Sequence, residues 1–264
     1  MTDPVFYVVM AIAVIILGLS KGGFAGIGMA STPLVAAFTD PLTAAGLMLP
    51  IMLIQDPVAV FLYRRSFCPR LLRVMIPGGL IGVLAAYVLA TSVPEWGVKV
   101  VLGAVSVIFA GWQLLGLVRR LPGAASAPRY DRLLGGLAGA ASGFTSAIAH
   151  AGPPPFQIYV MPKGLRKEVY VGTSVIFFAA VNLMKLPSFA ALGLFNRETL
   201  AVSALYLPLA VASSWAGARL VRHVDADRFR LIITLILLAI GCILLLQGVA
   251  EAGLRGGHGS LDRA

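Results

Sequence analysis

Gly18-Leu19-Ser20-Lys21-Gly22-Gly23-Phe24-Ala25-Gly26-Ile27-Gly28, closed by Pro33, is one of the two stretches that decide how this chain is read. The other is Gly139-Ala140-Ala141-Ser142-Gly143-Phe144-Thr145-Ser146, followed by His150-Ala151-Gly152 and Pro153-Pro154-Pro155. Each lies inside a long apolar segment, 5–38 and 133–162 respectively. Glycine weakens a helix and proline cannot continue its hydrogen-bond ladder. Both stretches therefore read as polar breaks, each between two short apolar helices.

Composition sets the solvent. Hydrophobic residues make up 59% of the 264 and charged residues 12%, about half the charge of an ordinary soluble domain. Apolar runs recur along the whole chain, several longer than the roughly 20 residues that cross a bilayer. The fold class expected is all-α: a polytopic, multi-pass membrane protein. Outside the two broken segments, spans are expected at 41–64, 71–91 and 97–118, then at 167–191, 198–221 and 228–249. Residues 121–132 read as a cytoplasmic linker and 250–264 as a disordered tail. Met1-Thr2-Asp3-Pro4 has no basic n-region, so no cleaved signal peptide is expected. Cys68 and Cys242 offer neither a disulfide framework nor a metal spacing. The net charge of +10 sits in short loops between spans, which topology explains better than nucleic acid does.

The halves read as copies. Gly23-Phe24 and Pro33 match Gly143-Phe144 and Pro153 at an offset of 120; Asp56 matches Asn182 at 126, and Pro77 matches Pro208 at 131. Charge then orients them. If each broken segment is a hairpin that returns to its starting side, 15 of the 21 Lys and Arg fall on one face, in loops at 64–73, 119–132, 163–167 and 219–230. Only Lys99, Arg197, Arg255 and Arg263 fall on the other, with Lys21 and Lys185 left inside the membrane. Single crossings would give 11 against 8. The positive-inside rule favours the first arrangement. It predicts two inverted repeats, 1–120 and 133–249, each a broken or re-entrant hairpin plus three spans.

Ionisable side chains at membrane depth are costly and point to function. Lys21 beside Gly22-Gly23, where unpaired amides at a helix start attract anions, reads as a small anion site with Ser20. The alternative is that Lys21 snorkels to the cytoplasmic interface. Ser142, Gly143, Thr145 and Ser146 form the counterpart in the second break, with tight helix packing as their alternative role. His150 falls at or near that break, able to donate to an anion or relay a proton, or else held by a backbone carbonyl. Asp56 pairs with Lys21, carries a proton or sits near a helix end. Asn182 and Lys185 share one helix face, and Lys185 binds the anion or snorkels outward.

No Walker A loop, HExxH, GxSxG or paired CxxC occurs. No cofactor, metal site or enzymatic activity is expected. Glycine-rich breaks in corresponding positions of two halves mark the binding site of a secondary transporter. An intramembrane enzyme on a lipid-linked phosphate would need paired acids at the hairpin tips.

The segments Gly18–Gly28 with Pro33, Ser142-Gly143-Phe144 with His150-Ala151-Gly152-Pro153-Pro154, and Asn182-Leu183-Met184-Lys185-Leu186-Pro187 resemble the TauE/SafE sulfite exporter family. The resemblance covers residues 5 to about 249. It implies transport of small sulfur oxyanions or organosulfonates, of the sulfite, sulfoacetate or thiosulfate class. His150-Ala151-Gly152-Pro153 replaces the glycine triplet more usual there, so the two breaks are not equivalent. The expectation is therefore an inner-membrane transporter exporting such anions by alternating access. An uptake permease or a channel for another anion is the alternative. The partners expected are the anion and the bilayer, with a homodimer left open.

Overall fold

The computed structural model describes residues 4–21, 27–90, 94–116, 128–220 and 226–258. Every regular element among them is helical. The first half runs α1 (Pro4–Lys21), a 3-10 turn (Ile27–Ala30) leading into α2 (Ser31–Ala36), α3 (Pro41–Tyr63), α4 (Pro69–Ala90) and α5 (Glu95–Leu114). The second runs α6 (Pro128–Ala149), α7 (Pro153–Val160) with a 3-10 turn (Met161–Lys163), α8 (Lys167–Ala191), α9 (Arg197–Leu205), α10 (Leu207–Leu220) and α11 (Ala226–His258).

Local chemistry sets several ends. Asp40 caps α3 by accepting from the Thr43 amide at 2.8 Å, with Pro41 filling the first helical turn. Asn196 caps α9 through the Thr199 amide at 2.8 Å. Gly164 and Gly193, at φ 64° and 69°, turn the chain into and out of α8. Among the described residues six helices are long and apolar enough to cross a membrane, and α9 with α10, bent by 46° at Tyr206, makes a seventh.

In each half a long helix and a short one precede the remaining helices: α1 and α2 before α3, α4 and α5, and α6 and α7 before α8, α9 with α10, and α11. The 18 residues of α1 reach roughly 27 Å, close to the roughly 30 Å of the hydrocarbon core. The second break is displaced. Residues 139–146 lie inside the continuous helix α6, and the chain breaks only at His150–Gly152. The glycines there serve close approach instead. A Cβ on Gly143 would lie 2.2 Å from the Gly79 carbonyl oxygen of α4, and one on Gly139 would lie 2.3 Å from that of Met75. Small residues that let backbones touch are the usual glue of membrane helices. The second hairpin returns to its start: Lys163 pairs with Asp131, and the Tyr159 hydroxyl donates to the Asp131 carbonyl at 3.0 Å.

Two boundaries move. Helix α6 begins at Pro128, inside the stretch read as a linker, and α11 continues to His258, through most of the stretch read as a disordered tail. Residues 117–127 and 259–264 lie outside the described residues.

Exchanging the halves maps packed pairs onto packed pairs. Helix α4 lies along α6 as α10 lies along α1, and both pairs are parallel: Gly78 meets Gly136 and Gly82 meets Ala140, while Tyr206 bonds Tyr7 and Ser213 bonds Val14. Helices α3 and α8 run antiparallel, with Gly46 against Leu194 at one end and Gly172 against Ser66 at the other. So do α5 and α11, where Lys99 bonds Glu251 at 2.6 Å and Thr234 bonds Gln113 at 2.8 Å. The largest core cluster lies among α1, α2, α3 and α11 (Met10, Met29, Met48, Leu244); a second joins α4, α7 and α8 (Met75, Phe156, Phe177). The ends of α1 and α6 approach the facing helices α3 and α8.

Candidate functional site

A cavity of about 90 Å³ lies where the two hairpin tips face α3 and α8. Ser20 and Lys21 enter it from the end of α1, Asp56 from α3, Ser146 and His150 from the end of α6, and Asn182 from α8. The rest of its wall is largely apolar, including Leu17, Met29, Phe156 and Phe178.

Lys21 ends α1 with its ammonium aimed across at α3. It forms an ion pair with Asp56 and donates to the Met52 carbonyl at 3.0 Å, one helical turn earlier on the same face. The Lys21 side chain is 12% exposed and that of Asp56 8%, so the pair is largely buried and the ammonium turns inward to α3. Asp56 uses its second oxygen to accept from Asn182 Nδ2 at 2.8 Å. These two residues match at an offset of 126, and here they touch.

One turn further along α8, Lys185 is fully buried. Its ammonium donates to Ser146 O at 3.2 Å and Ser146 Oγ at 3.1 Å, both uncharged. It stands one hydrogen bond behind the cavity wall, turned inward to α6. Lys21 therefore has a counter-charge and Lys185 has a neutral hydroxyl and a carbonyl.

His150 closes α6 in a conformation that costs energy. Its φ of 51° makes it the one non-glycine residue with positive φ among those described, at the helix-end position glycine usually takes. Its ring is 6% exposed, and neither nitrogen has a hydrogen-bond partner. Its face-to-edge contact is with Phe189, at a centroid distance of 5.9 Å. Beyond Phe189 lies an apolar cavity of about 250 Å³, walled also by Phe144 and Ile148. Buried polar atoms are normally satisfied, and strain held in a wall position is a mark of function.

The structure thus brings Ser20, Lys21, Asp56, Ser146, His150 and Asn182 around one cavity, with Lys185 just behind. It leaves three expected residues elsewhere. Gly143 packs on α4, Thr145 donates back to the Ala141 carbonyl at 2.8 Å, and the Ser142 hydroxyl is buried without a partner. None of the three lines the cavity, and the 142–143 amides belong to a helix interior rather than a helix start. Gly22 and Gly23 lie outside the described residues. Gln157, Tyr170 and Ser174 also line the cavity and were not anticipated. Their signal is helical spacing: Tyr170, Ser174, Phe178 and Asn182 recur every fourth residue and mark one face of α8. Among the described residues no group of His, Cys, Asp and Glu could hold a metal.

Fold and site together define a multi-pass helical membrane protein with a charged, mostly apolar-walled cavity between its two halves. The family profile described as "Sulfite exporter TauE/SafE" matches residues 10–244, and the chain belongs to that family of membrane transporters. No curated protein and no solved structure matches it.

Proposed function

We propose that the protein is an inner-membrane secondary transporter that exports small sulfur oxyanions, of the sulfite or organosulfonate class. The observation that carries this reading is the charge cluster at the hairpin tips. Two lysines, a histidine with both nitrogens unpartnered and an asparagine converge on a cavity with one carboxylate. Desolvating an oxyanion is expensive, so several donors must replace its water. Ser20, Lys21, Ser146, His150 and Asn182 are the donors here, with Lys185 supplying charge through Ser146. Ser142, Gly143 and Thr145 position the second tip rather than touch the anion.

The repeats are read as inverted. Antiparallel α3–α8 and α5–α11 pairs support a two-fold axis lying across the helices, and so do the loops that collect 15 of 21 basic residues on one face. Access alternates by opening the cavity to one side and then the other, and the His150–Phe189 contact is the partition toward the apolar cavity. An inside-negative potential drives each negative charge outward by about 2.3 kcal/mol per 100 mV, so export needs no coupled ion. Coupled uptake would need a proton carrier. His150 is the group left for it, since Asp56 is held by Lys21 and Asn182.

Proteoliposomes loaded with sulfite, sulfoacetate or thiosulfate test the reading. At least one of these anions leaves the vesicles through the wild type, and Lys21→Ala slows that flux at least about tenfold, the effect of some 1.4 kcal/mol. No flux and no binding of any of the three would sink the substrate assignment. In the same preparation, single cysteines at Ser66 and Gly164 label from one side; labelling from opposite sides would restore parallel repeats.

A further inference from the structure

Electroneutrality inside the site divides the candidate anions. Lys21 and Asp56 form a buried pair, and Asp56 has no oxygen left without a donor. Their formal charges cancel. Lys185 donates only to the carbonyl and hydroxyl oxygens of Ser146, and its side chain is fully buried. The titratable or charged groups around it are Asp56 on α3, Lys21 at the end of α1 and His150 at the end of α6; α4 brings Gly79 against Val181 and Phe177 of α8. When Lys185 carries its proton, one positive charge is left over, one hydrogen bond behind the wall that carries Ser146, Asn182 and His150.

An uncompensated buried charge is expensive, and an anion placed beside Ser146 and His150 would compensate it. A second negative charge on the same anion would find no free cation. It would face the Asp56 carboxylate across a cavity of about 90 Å³, where little water screens it. Juxtaposed like charge is how sites reject a near-identical ligand.

We propose that Asp56 sets the charge number of the anion: by neutralising Lys21 it leaves Lys185 as the single unmatched cation, so the cavity takes singly charged oxyanions over doubly charged ones. This rests on the reading that the cavity binds sulfur oxyanions, and it divides that class. Thiosulfate and sulfoacetate carry two charges and are disfavoured. Organic sulfonates without a second acid group carry one. Sulfite, which near neutral pH is a mixture, enters as hydrogen sulfite.

Methanesulfonate and sulfate are suitable probes: both present oxygens on tetrahedral sulfur, and they differ by one charge. Calorimetric titration of the purified full chain at constant ionic strength, at about pH 6 where a lysine is ordinarily charged, gives the ratio of affinities. The wild type prefers methanesulfonate by at least about tenfold. Asp56→Asn frees Lys21 and moves the ratio at least about tenfold toward sulfate. The double substitution Lys21→Met with Asp56→Met lowers both affinities but returns the preference to methanesulfonate. Lys185→Met lowers methanesulfonate binding at least about a hundredfold.

A wild-type preference for sulfate overturns the proposal, as does an Asp56→Asn ratio within about twofold of wild type. If Asp56→Asn does not fold, wild-type methanesulfonate affinity in Lys185→Met overturns it equally. Equal binding of both probes by the wild type defeats the charge assignment alone. Binding of neither defeats the sulfur-oxyanion reading and this inference together.

Discussion

The two hairpin tips solve the same problem in opposite ways. The first presents a lysine matched by a carboxylate across α3; the second presents a lysine matched only by a hydroxyl and a carbonyl, beside a strained histidine with no partner. The first is a finished structure, complete without a ligand. The second is unfinished in the same physical sense: its charge and its donors are unanswered by protein. Where protein leaves buried polar groups unanswered, a ligand is the natural complement, so on the proposed reading the second tip is where binding energy is concentrated.

The largest expected effect breaks the comparison at its charges. Lys21→Met strands Asp56 with a single neutral donor, and removing one partner of a buried pair costs about 3–5 kcal/mol. Lys185→Met removes an ammonium that has no counter-charge and leaves Ser146 able to bond elsewhere, so its cost in stability is under about 1 kcal/mol. Thermal unfolding in one detergent, without added anion, reads both. Equal losses in the two variants would mean that Lys185 is as fully matched as Lys21, and the asymmetry between the tips would be gone.

Packing of the long arms gives a smaller contrast. On α6, a Cβ at Gly143 meets the Gly79 carbonyl at 2.2 Å, so the helices themselves must separate. Near the first tip, a Cβ at Gly28 meets Ser20 Oγ at 2.8 Å, which can rotate away, and Ser20 Cβ at 2.9 Å, which needs only a small shift of the chain. Gly143→Ala should cost about 1–3 kcal/mol, and Gly28→Ala less than Gly143→Ala. The same unfolding measurement ranks them, and a reversed order would refute this account of α4–α6 packing.

That contrast also explains which parts of the molecule were legible in the sequence. Hydropathy located the spans because membrane solvent demands long apolar runs, and repeat offsets paired Asp56 with Asn182 before any contact was known. The second break was set too early because glycines that admit a neighbouring helix look the same in sequence as glycines that end one. Gly139 and Gly143 belong to the first kind. The true end was carried by His150-Ala151-Gly152-Pro153. Lys185 sits near enough to the end of α8 that depth alone could not separate snorkelling from burial; only the position of Ser146 on α6 decides it. Gln157 and Ser174 are single polar residues in apolar helices, and their role depends on which face the neighbouring hairpin covers.

A small expected effect on stability, with a separate one on function, comes from His150→Gly. Glycine removes the ring contact with Phe189, and an aromatic pair of this geometry is worth about 0.5–1.5 kcal/mol. It also adds unfolded-state entropy, a cost of about 0.5–1 kcal/mol. Against these stands relief of the left-handed backbone at φ 51°, about 1–2 kcal/mol for a residue with a Cβ. No hydrogen bond is lost, because neither nitrogen makes one. The terms nearly cancel, so the unfolding free energy changes by no more than about 1.5 kcal/mol in either direction. Methanesulfonate affinity, in contrast, falls about tenfold, the loss of one donor to a charged ligand. A histidine kept for packing would give the reverse pattern, a destabilised protein that binds normally. That result would return the second tip to the same structural category as the first.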